Sequence, residues 1–125
     1  MPPPPRKRVL CVDDEPAIRT VLSTLLTREN FVVETADDGL DGWRKILAND
    51  GKYDVVVTDG QMPNVDGVEF VRRLRTTNYP GRIVVFSSRP TPETIEKLHR
   101  LGVDAIIEKG STVTELLAAI HGSGL

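Results

Sequence analysis

Apolar residues follow two different spacings along this chain, and the two spacings alternate. Five short apolar runs, each about three or four residues long, predict β-strands. These runs occupy residues 9–12, 31–33, 55–57, 83–86 and 105–107. Each run is followed by a stretch with apolar residues at helical spacing, such as Ile18, Leu22 and Leu25. The pattern therefore predicts a strand followed by a helix, repeated five times.

Polar residues and glycines mark several of the predicted helix ends. Thr91 and Pro92 are typical of the first positions of the fourth helix, because threonine caps a helix and proline fits its first turn. Gly102 is placed to end that helix. Thr112 and Glu115 have the spacing of a capping box, which predicts the start of the fifth helix.

The strand runs are continuously apolar, which is typical of strands buried on both faces of a sheet. Five strand–helix units then imply a parallel sheet with helices on both sides, connected by right-handed crossovers. We expect a three-layer α/β sandwich with the strand order 2-1-3-4-5, which is common among such sheets. In this architecture ligands bind beyond the carboxyl ends of the strands, where the strand order reverses.

Residues that can handle a charged ligand follow four of the five predicted strands. Asp13 and Asp14 follow the first strand, Asp59 the third, Ser87 the fourth and Lys109 the fifth. In the expected strand order the three aspartates meet in one crevice, where their charges repel unless a cation neutralises them. Mg²⁺ prefers oxygen ligands and is often completed by a phosphate. A carboxylate can also form an acyl phosphate, so the pattern indicates phosphoryl transfer to Asp59.

Each of these residues also has an ordinary structural interpretation. Asp13 and Asp14 precede a helix and are candidate caps, and Asp59 before Gly60 is typical of a turn. Ser87 and Lys109 are residue types common in loops and on surfaces. The functional interpretation depends on the convergence of all of them at one edge of the sheet.

Length and composition favour one domain. The chain has 125 residues, with 39% hydrophobic and 27% charged residues and a formal net charge of -2. This balance gives no support for direct contact with nucleic acid or a membrane, and no apolar run approaches the roughly 20 residues of a membrane helix. One cysteine excludes an internal disulfide. We expect a cytoplasmic protein with a flexible lead-in at 1–7, a domain at 8–121 and a flexible tail at 122–125.

Four motifs resemble those of a known family. They are Val9-Leu10-Cys11-Val12-Asp13-Asp14-Glu15, the string Asp59-Gly60-Gln61-Met62-Pro63-Asn64-Val65-Asp66-Gly67, Phe86-Ser87-Ser88, and Glu108-Lys109. In order and spacing they resemble the receiver domain of bacterial two-component response regulators. The resemblance implies a flavodoxin-like (βα)5 fold, and the strand order 2-1-3-4-5 expected above depends on it. It also implies a part in phosphorelay signal transduction.

The resemblance also implies roles for individual residues. Asp59 would accept the phosphoryl group, and Asp13, Asp14 and the backbone carbonyl of Gln61 would join it in binding Mg²⁺ or Mn²⁺. Ser87 would be the switch hydroxyl, turning toward the phosphoryl group.

Further roles concern Lys109 and the residues that modulate the site. Lys109 would pair with a phosphoryl oxygen. Gln61 and Arg89 would tune the rate at which the acyl phosphate is lost. Ile106 stands where the family usually has an aromatic residue that moves with the switch hydroxyl.

Partners are implied by the same resemblance. The donor would be a histidine kinase or a phosphotransfer protein, and small phosphodonors such as acetyl phosphate would also serve. The recipient would be a downstream protein bound by the fourth helix, fifth strand and fifth helix. The chain would be a monomer or a weak, phosphorylation-dependent dimer. It would catalyse only its own phosphorylation and dephosphorylation, and would not otherwise be an enzyme.

Departures from the family pattern leave an alternative open. Besides Ile106, Gly110 replaces the proline that usually follows the lysine, and Gly60 replaces a branched residue. We expect a trans bond at Gly110, because a non-proline cis bond costs about 2.5–4 kcal/mol. The alternative is a receiver-fold interaction module with atypical or phosphorylation-independent output. A flavin or dinucleotide protein is less consistent, since no glycine-rich phosphate loop follows the first strand.

Overall fold

The computed structural model describes residues 5–122, in which five strands alternate with five helices. The strands are β1 (Arg8–Val12), β2 (Val32–Ala36), β3 (Val55–Thr58), β4 (Arg82–Ser87) and β5 (Ala105–Glu108). The helices are α1 (Pro16–Arg28), α2 (Gly39–Ala48), α3 (Gly67–Thr76), α4 (Pro92–Arg100) and α5 (Val113–His121). Most of the expected lead-in and tail, residues 1–4 and 123–125, lies outside the described residues.

The strands form one parallel sheet in the order β2-β1-β3-β4-β5, which confirms the predicted order. β1 and β3 are neighbours at the point where the order reverses, with Val9 opposite Val55 and Val12 opposite Thr58. The carboxyl ends of β1, β3, β4 and β5 therefore meet along one edge of the sheet. Ligands bind at this edge in sheets of this type.

Alternate residues of the central strands face opposite helical layers. Leu10 and Val56 pack with α2, α3 and α4, whereas Val9 and Val57 pack with α1 and α5. A strand directs successive side chains to opposite faces, so one short apolar run contributes to both cores. The result is the predicted three-layer sandwich.

Burial on both faces holds for three strands only. Every residue of β3 is buried, as is nearly every residue of β1 and β4. β2 and β5 lie at the two edges of the sheet, and most of their residues are only half-buried. The expectation that all five strands are fully covered was therefore wrong, because the outermost strands have neighbours on one side alone.

The second strand also begins later than predicted. Phe31 belongs to the turn that ends α1: its backbone N–H donates to the Leu26 carbonyl at 3.0 Å, and Asn30 adopts a φ of 68°. This is a Schellman ending, in which a left-handed residue lets the chain satisfy the last helical carbonyls. Phe31 is buried although it lies in this turn. An apolar residue directly before β2 is therefore easily mistaken for the first residue of the strand.

The predicted helix ends are confirmed. Thr91 and Thr112 are N-cap residues, and their hydroxyls accept hydrogen bonds from the backbone N–H groups of Thr94 and Glu115. Gly102 follows α4 with a φ of 76°, a conformation that favours glycine. These caps fix where α4 and α5 start and hence the loops that precede them.

Candidate functional site

Three carboxylates meet at the carboxyl edge of the sheet. Asp13 and Asp14 follow β1, Asp59 follows β3, and each contributes an oxygen within 4.8 Å of the other two. Asp13 is 1% exposed and Asp59 5%, whereas Asp14 is open to solvent. The convergence predicted from the strand ends is therefore present.

The sheet continues its backbone pairing through the aspartates and so fixes their positions. The Asp59 N–H donates to the Val12 carbonyl at 2.8 Å, and the Asp13 N–H donates to the Ala36 carbonyl at 3.1 Å. Neither Asp13 nor Asp14 is the N-cap of α1, since that position is Glu15. Asp13 instead accepts a hydrogen bond from the Glu15 N–H at 2.9 Å, which orients its carboxylate.

Lys109 reaches into the cluster from the end of β5. Its Nζ lies 3.0 Å from Asp13 Oδ2, 3.2 Å from Asp59 Oδ2 and 3.1 Å from Glu15 Oε1. The lysine side chain is only 10% exposed. Burial alone would lower the pKa of Lys109, but the hydrogen bonds to Asp13 and Glu15 and the nearby charges raise it above its usual range. Lys109 is therefore a firmly charged ammonium ion.

Negative charge exceeds positive charge in this cluster. Asp13, Asp14, Glu15 and Asp59 supply four carboxylates against the Lys109 ammonium and the Arg19 guanidinium, which donates to the Asp13 carbonyl at 2.7 Å, so two negative charges remain when all are ionised. Burial raises the pKa of Asp13, although the bonds from Glu15 and Lys109 oppose the shift. A divalent cation with oxygen preference, such as Mg²⁺ or Mn²⁺, fits both the donor set and the charge.

Ser87 ends β4 and is buried beside the turn after Asp59. A Cβ built on Gly60 would lie 3.0 Å from Ser87 Oγ, so the hydroxyl and the Gly60 backbone are close neighbours. The Ser87 carbonyl accepts a hydrogen bond from the Lys109 N–H at 3.0 Å. Ser87 and Lys109 are thus adjacent on the same edge as Asp59.

Comparison with known proteins gives the same result along nearly the whole chain. The family model of the response regulator receiver domain matches residues 9–121. The chain belongs to the response regulator receiver domain family. It is 36% identical over 114 residues to the transcriptional regulatory protein CusR of Escherichia coli, and 38% identical over 115 residues to a gliding motility regulatory protein of Myxococcus xanthus. The receiver identified by these motifs is thereby confirmed.

The relatives are longer than this receiver. It covers 49% of CusR and 14% of the gliding motility protein, while about nine-tenths of the receiver is aligned in each case. Among solved structures, the chemotaxis protein CheY4 of Vibrio cholerae has a TM-score of 0.83 at 28% identity. That match covers 94% of the receiver and 98% of CheY4. The receiver domain of a putative response regulator NarL from Mycobacterium tuberculosis has a TM-score of 0.85 at 29% identity, covering 95% of this receiver and 96% of that chain.

The residues expected to modulate the site lie at its margin. The Gln61 N–H donates to Asp59 Oδ1 at 3.2 Å, while the residue itself is exposed. Arg89 is exposed in a loop with a φ of 46° and makes no hydrogen bond or ion pair with the cluster within residues 5–122. Ile106 pairs with Val85 in the sheet and packs against the α2–α3–α4 side of the core. The structure therefore brings the backbone of Gln61 to the aspartates but keeps Arg89 apart.

The loop after Lys109 differs from the family pattern without strain. The Lys109–Gly110 bond is trans, as predicted. A Cβ on Gly110 would meet no heavy atom within 4 Å, so the loop is open at this point. No helix in the described part of the receiver is long and apolar enough to cross a membrane.

Sequence reasoning missed two residues of the site. Glu15 is an ion-pair partner of Lys109, and Gly67 lies so near the acceptor turn that a Cβ there would be 2.1 Å from the Asp59 carbonyl oxygen. Both had a signal in the sequence. Glutamate is an unusual N-cap. Glycine at the start of a helix lowers helix stability, so its presence there indicates close packing against another backbone.

Proposed function

We propose that this receiver accepts a phosphoryl group on Asp59 from the phosphohistidine of a histidine kinase or a phosphotransfer protein, in the cytoplasm. The observation that carries the proposal is the placement of Asp59 in a buried crevice with two further aspartates and one lysine. A structural aspartate would need one partner and no surrounding excess of negative charge.

The chain's own residues account for the transfer. An oxygen of the ionised Asp59 carboxylate attacks phosphorus, the bond between phosphorus and the histidine nitrogen breaks, and its electron pair leaves with the imidazole. No general base is needed, because the nucleophile already lacks a proton. Lys109 lies 3.2 Å from Asp59 Oδ2, within reach of an oxygen on the transferred group. Ser87 supplies a hydroxyl on the same edge.

Asp13, Asp14, Asp59 and the backbone carbonyl of Gln61 would hold the divalent cation, Mg²⁺ or Mn²⁺. When bound, this ion neutralises charge on the carboxylates and on the phosphoryl oxygens, so that two anions can approach. The three aspartates fit because they offer only oxygen donors from two neighbouring strands. The receiver would also hydrolyse its own acyl phosphate, with Gln61 and Arg89 affecting the rate.

Phosphorylation would alter a surface some distance away. The phosphoryl group brings a charge of about -1.5 to -2 and three strong acceptor oxygens. Ser87 is the last residue of β4 and Lys109 follows β5, and their backbones are hydrogen-bonded to each other. Movement of either residue would bias the surface of α4, β5 and α5, to which a downstream protein would bind, with a monomer or a weak phosphorylation-dependent dimer as the active form.

A second candidate is a receiver that acts through constitutive protein contacts. The observations that favour it are Ile106, which lacks an aromatic ring, and Gly110, which leaves the loop after Lys109 open. Both affect the output surface and leave the carboxylate cluster intact. Phosphorylation at Asp59 therefore remains the better supported function.

The test is incubation of the chain with acetyl phosphate, with and without Mg²⁺, followed by intact mass spectrometry. We expect one added phosphoryl group that depends on Mg²⁺, is lost on hydrolysis of the acyl phosphate, and is absent in Asp59→Asn. Asp54→Asn is a matched control, because Asp54 is also next to β3 but at its opposite end. An unchanged mass with acetyl phosphate and with phosphorylated histidine kinases would refute phosphorylation at Asp59 and favour the second candidate.

A further inference from the structure

Lys109 has one carboxylate partner more than the proposed transfer requires. Asp13 and Asp59 have roles in the cation site, but Glu15 has none in the scheme above. Its Oε1 lies 3.1 Å from Lys109 Nζ, a distance equal within 0.1 Å to those of the two aspartates. An ammonium group has three N–H donors. These three carboxylates are therefore enough to occupy all of them.

The Glu15 side chain does not cap the helix that it begins, although the Glu15 backbone carbonyl accepts the first helical N–H groups. Glu15 is the N-cap of α1, yet its side chain makes no capping hydrogen bond. Serine, threonine, aspartate and asparagine are preferred at this position because their short side chains reach the first helical N–H groups. The longer glutamate extends instead across the site to a lysine 94 residues away in the chain. The contact with Lys109 explains why a poor cap stands here.

We propose that Glu15 is a positioning residue that holds Lys109 in the unphosphorylated site and competes with the incoming phosphoryl group for it. The inference rests on the proposed function, since it assigns a further residue to the same transfer. A phosphoryl oxygen can reach the ammonium only by replacing one of its three partners. Glu15 is the partner to be replaced, because its side chain is 56% exposed and water can take over its hydrogen bonds.

Two consequences of opposite sign follow for the neutral variant Glu15→Gln. The Glu15 charge attracts a cation to the aspartates and draws Lys109 partly away from them, so its loss weakens Mg²⁺ binding. The same charge repels an anionic phosphodonor and occupies Lys109, so its loss speeds phosphorylation once Mg²⁺ is saturating. A residue that only supported the fold would change both quantities in the same direction.

Glu29→Gln is the matched control. Glu29 is exposed, lies directly after the other end of α1, and changes the net charge by the same amount when neutralised. The separation along a helix of this length is roughly 20 Å, beyond the Debye length of about 8 Å at physiological salt. Its interaction with His121 is remote from the aspartates.

The experiment has two arms. Titration calorimetry with Mg²⁺ alone gives the affinity of each chain in the absence of any phosphodonor, and circular dichroism checks that each is folded. Intact mass spectrometry then follows the rate of phosphorylation by acetyl phosphate at Mg²⁺ concentrations that saturate each chain. For Glu15→Gln we expect an Mg²⁺ affinity weaker by about threefold or more and a rate faster by a similar factor. Glu29→Gln should stay within about twofold of the parent in both arms.

A rate that is unchanged or slower in Glu15→Gln at saturating Mg²⁺ overturns the proposal, because Glu15 would then not compete for Lys109. If the parent chain itself takes up no phosphate, the proposed function has failed and the calorimetric arm decides alone. In that case an unchanged Mg²⁺ affinity refutes the positioning of Lys109 by Glu15, and a weakened affinity supports it.

Discussion

Charged side chains occur at both ends of the sheet, but the two ends use them differently. At the amino end, the Arg8 guanidinium pairs with Glu34, and the Arg8 N–H donates to Asp54 at 2.7 Å. Before β5, Asp104 accepts the Ile83 N–H at 2.8 Å and lies 3.7 Å from Arg82. Two cations face three anions there, and the side chains of the ion pairs keep about a third of their surface in water.

The carboxyl end has a larger excess of negative charge, and the groups at its centre are buried although Asp14 and Glu15 are exposed. Asp13, Asp59 and Lys109 are each 10% exposed or less, and one ammonium serves several carboxylates. Charges that are paired and half-exposed hold strand ends in place at little cost. Charges that are buried and unbalanced lower the stability of the fold. Such an arrangement is typical of a functional site, where a cation or a reacting group supplies the missing charge.

The largest effect that separates the two ends should come from Lys109→Met. Loss of the ammonium leaves Asp13 and Asp59 buried without a counter-charge, so we expect the free energy of unfolding to fall by about 3 kcal/mol without divalent cations. Urea denaturation monitored by circular dichroism measures it. Mg²⁺ should recover much of the loss, since it supplies the missing positive charge. A loss of stability that Mg²⁺ leaves unchanged would contradict our account of the carboxyl end.

Mg²⁺ itself should stabilise the parent chain. At a Mg²⁺ concentration ten times the dissociation constant, we expect a gain of about 1.4 kcal/mol in the free energy of unfolding. The gain should shrink in Asp59→Asn and persist in Glu34→Gln, whose carboxylate lies near the amino end. Thermal unfolding with and without Mg²⁺ provides the comparison. Equal stabilisation of both variants would mean that the ion binds elsewhere.

A smaller effect is expected from Arg8→Met at the amino end. The Arg8–Glu34 pair is about one-third exposed, and such pairs contribute up to about 1 kcal/mol. Arg8 also lies over the Tyr53 ring at 4.8 Å, and methionine keeps part of that packing. Urea denaturation should show the same loss in the presence and absence of Mg²⁺. A loss of stability that depended on Mg²⁺ would mean that the amino end is coupled to the cation site and would contradict the difference between the two ends.

The smallest effect should come from Asp38, the carboxylate that caps α2. The Asp38 pKa is lowered by the hydrogen bond from the Asp41 N–H, with a further bond from Asn64. A carboxylate with a lowered pKa stabilises the fold when the pH is above its unfolded pKa, near 3.9. This stability is lost as the pH falls through the folded pKa. We expect Asp38→Asn to lower stability at pH 7 by a few tenths of a kcal/mol, because asparagine still caps α2. Urea denaturation at a series of pH values should show this stability difference vanishing once the pH is below the folded pKa of Asp38. A difference that grew at low pH would contradict the lowered pKa.

The convergence of the aspartates was predictable because it depends on topology alone. Once Asp13 and Asp59 are placed after neighbouring parallel strands, the sheet brings them together whatever the side chains do. Lys109 and Ser87 follow from the same rule. Phe31 was misplaced because an apolar residue in a helix ending has the same pattern as the first residue of a strand.

The contacts made by long side chains and by close backbones could not be predicted in this way. Whether Glu15 reaches Lys109 depends on rotamers and on a distance across the site, neither of which hydrophobic periodicity records. The approach of Gly67 to the Asp59 carbonyl depends on how α3 packs against the end of β3. Both are tertiary properties, and both concern residues that local rules would disfavour where they stand.

The single cysteine has a practical consequence for studying this receiver in solution. Cys11 is fully buried in β1, and burial together with the charge of Asp13 raises its pKa to about 12. The native thiol should therefore not react with maleimide reagents at neutral pH while the chain is folded. A cysteine introduced at Gly110, where a side chain has open space, would then be the one labelled position. A fluorophore there would report on the loop next to Lys109 without any need to remove Cys11.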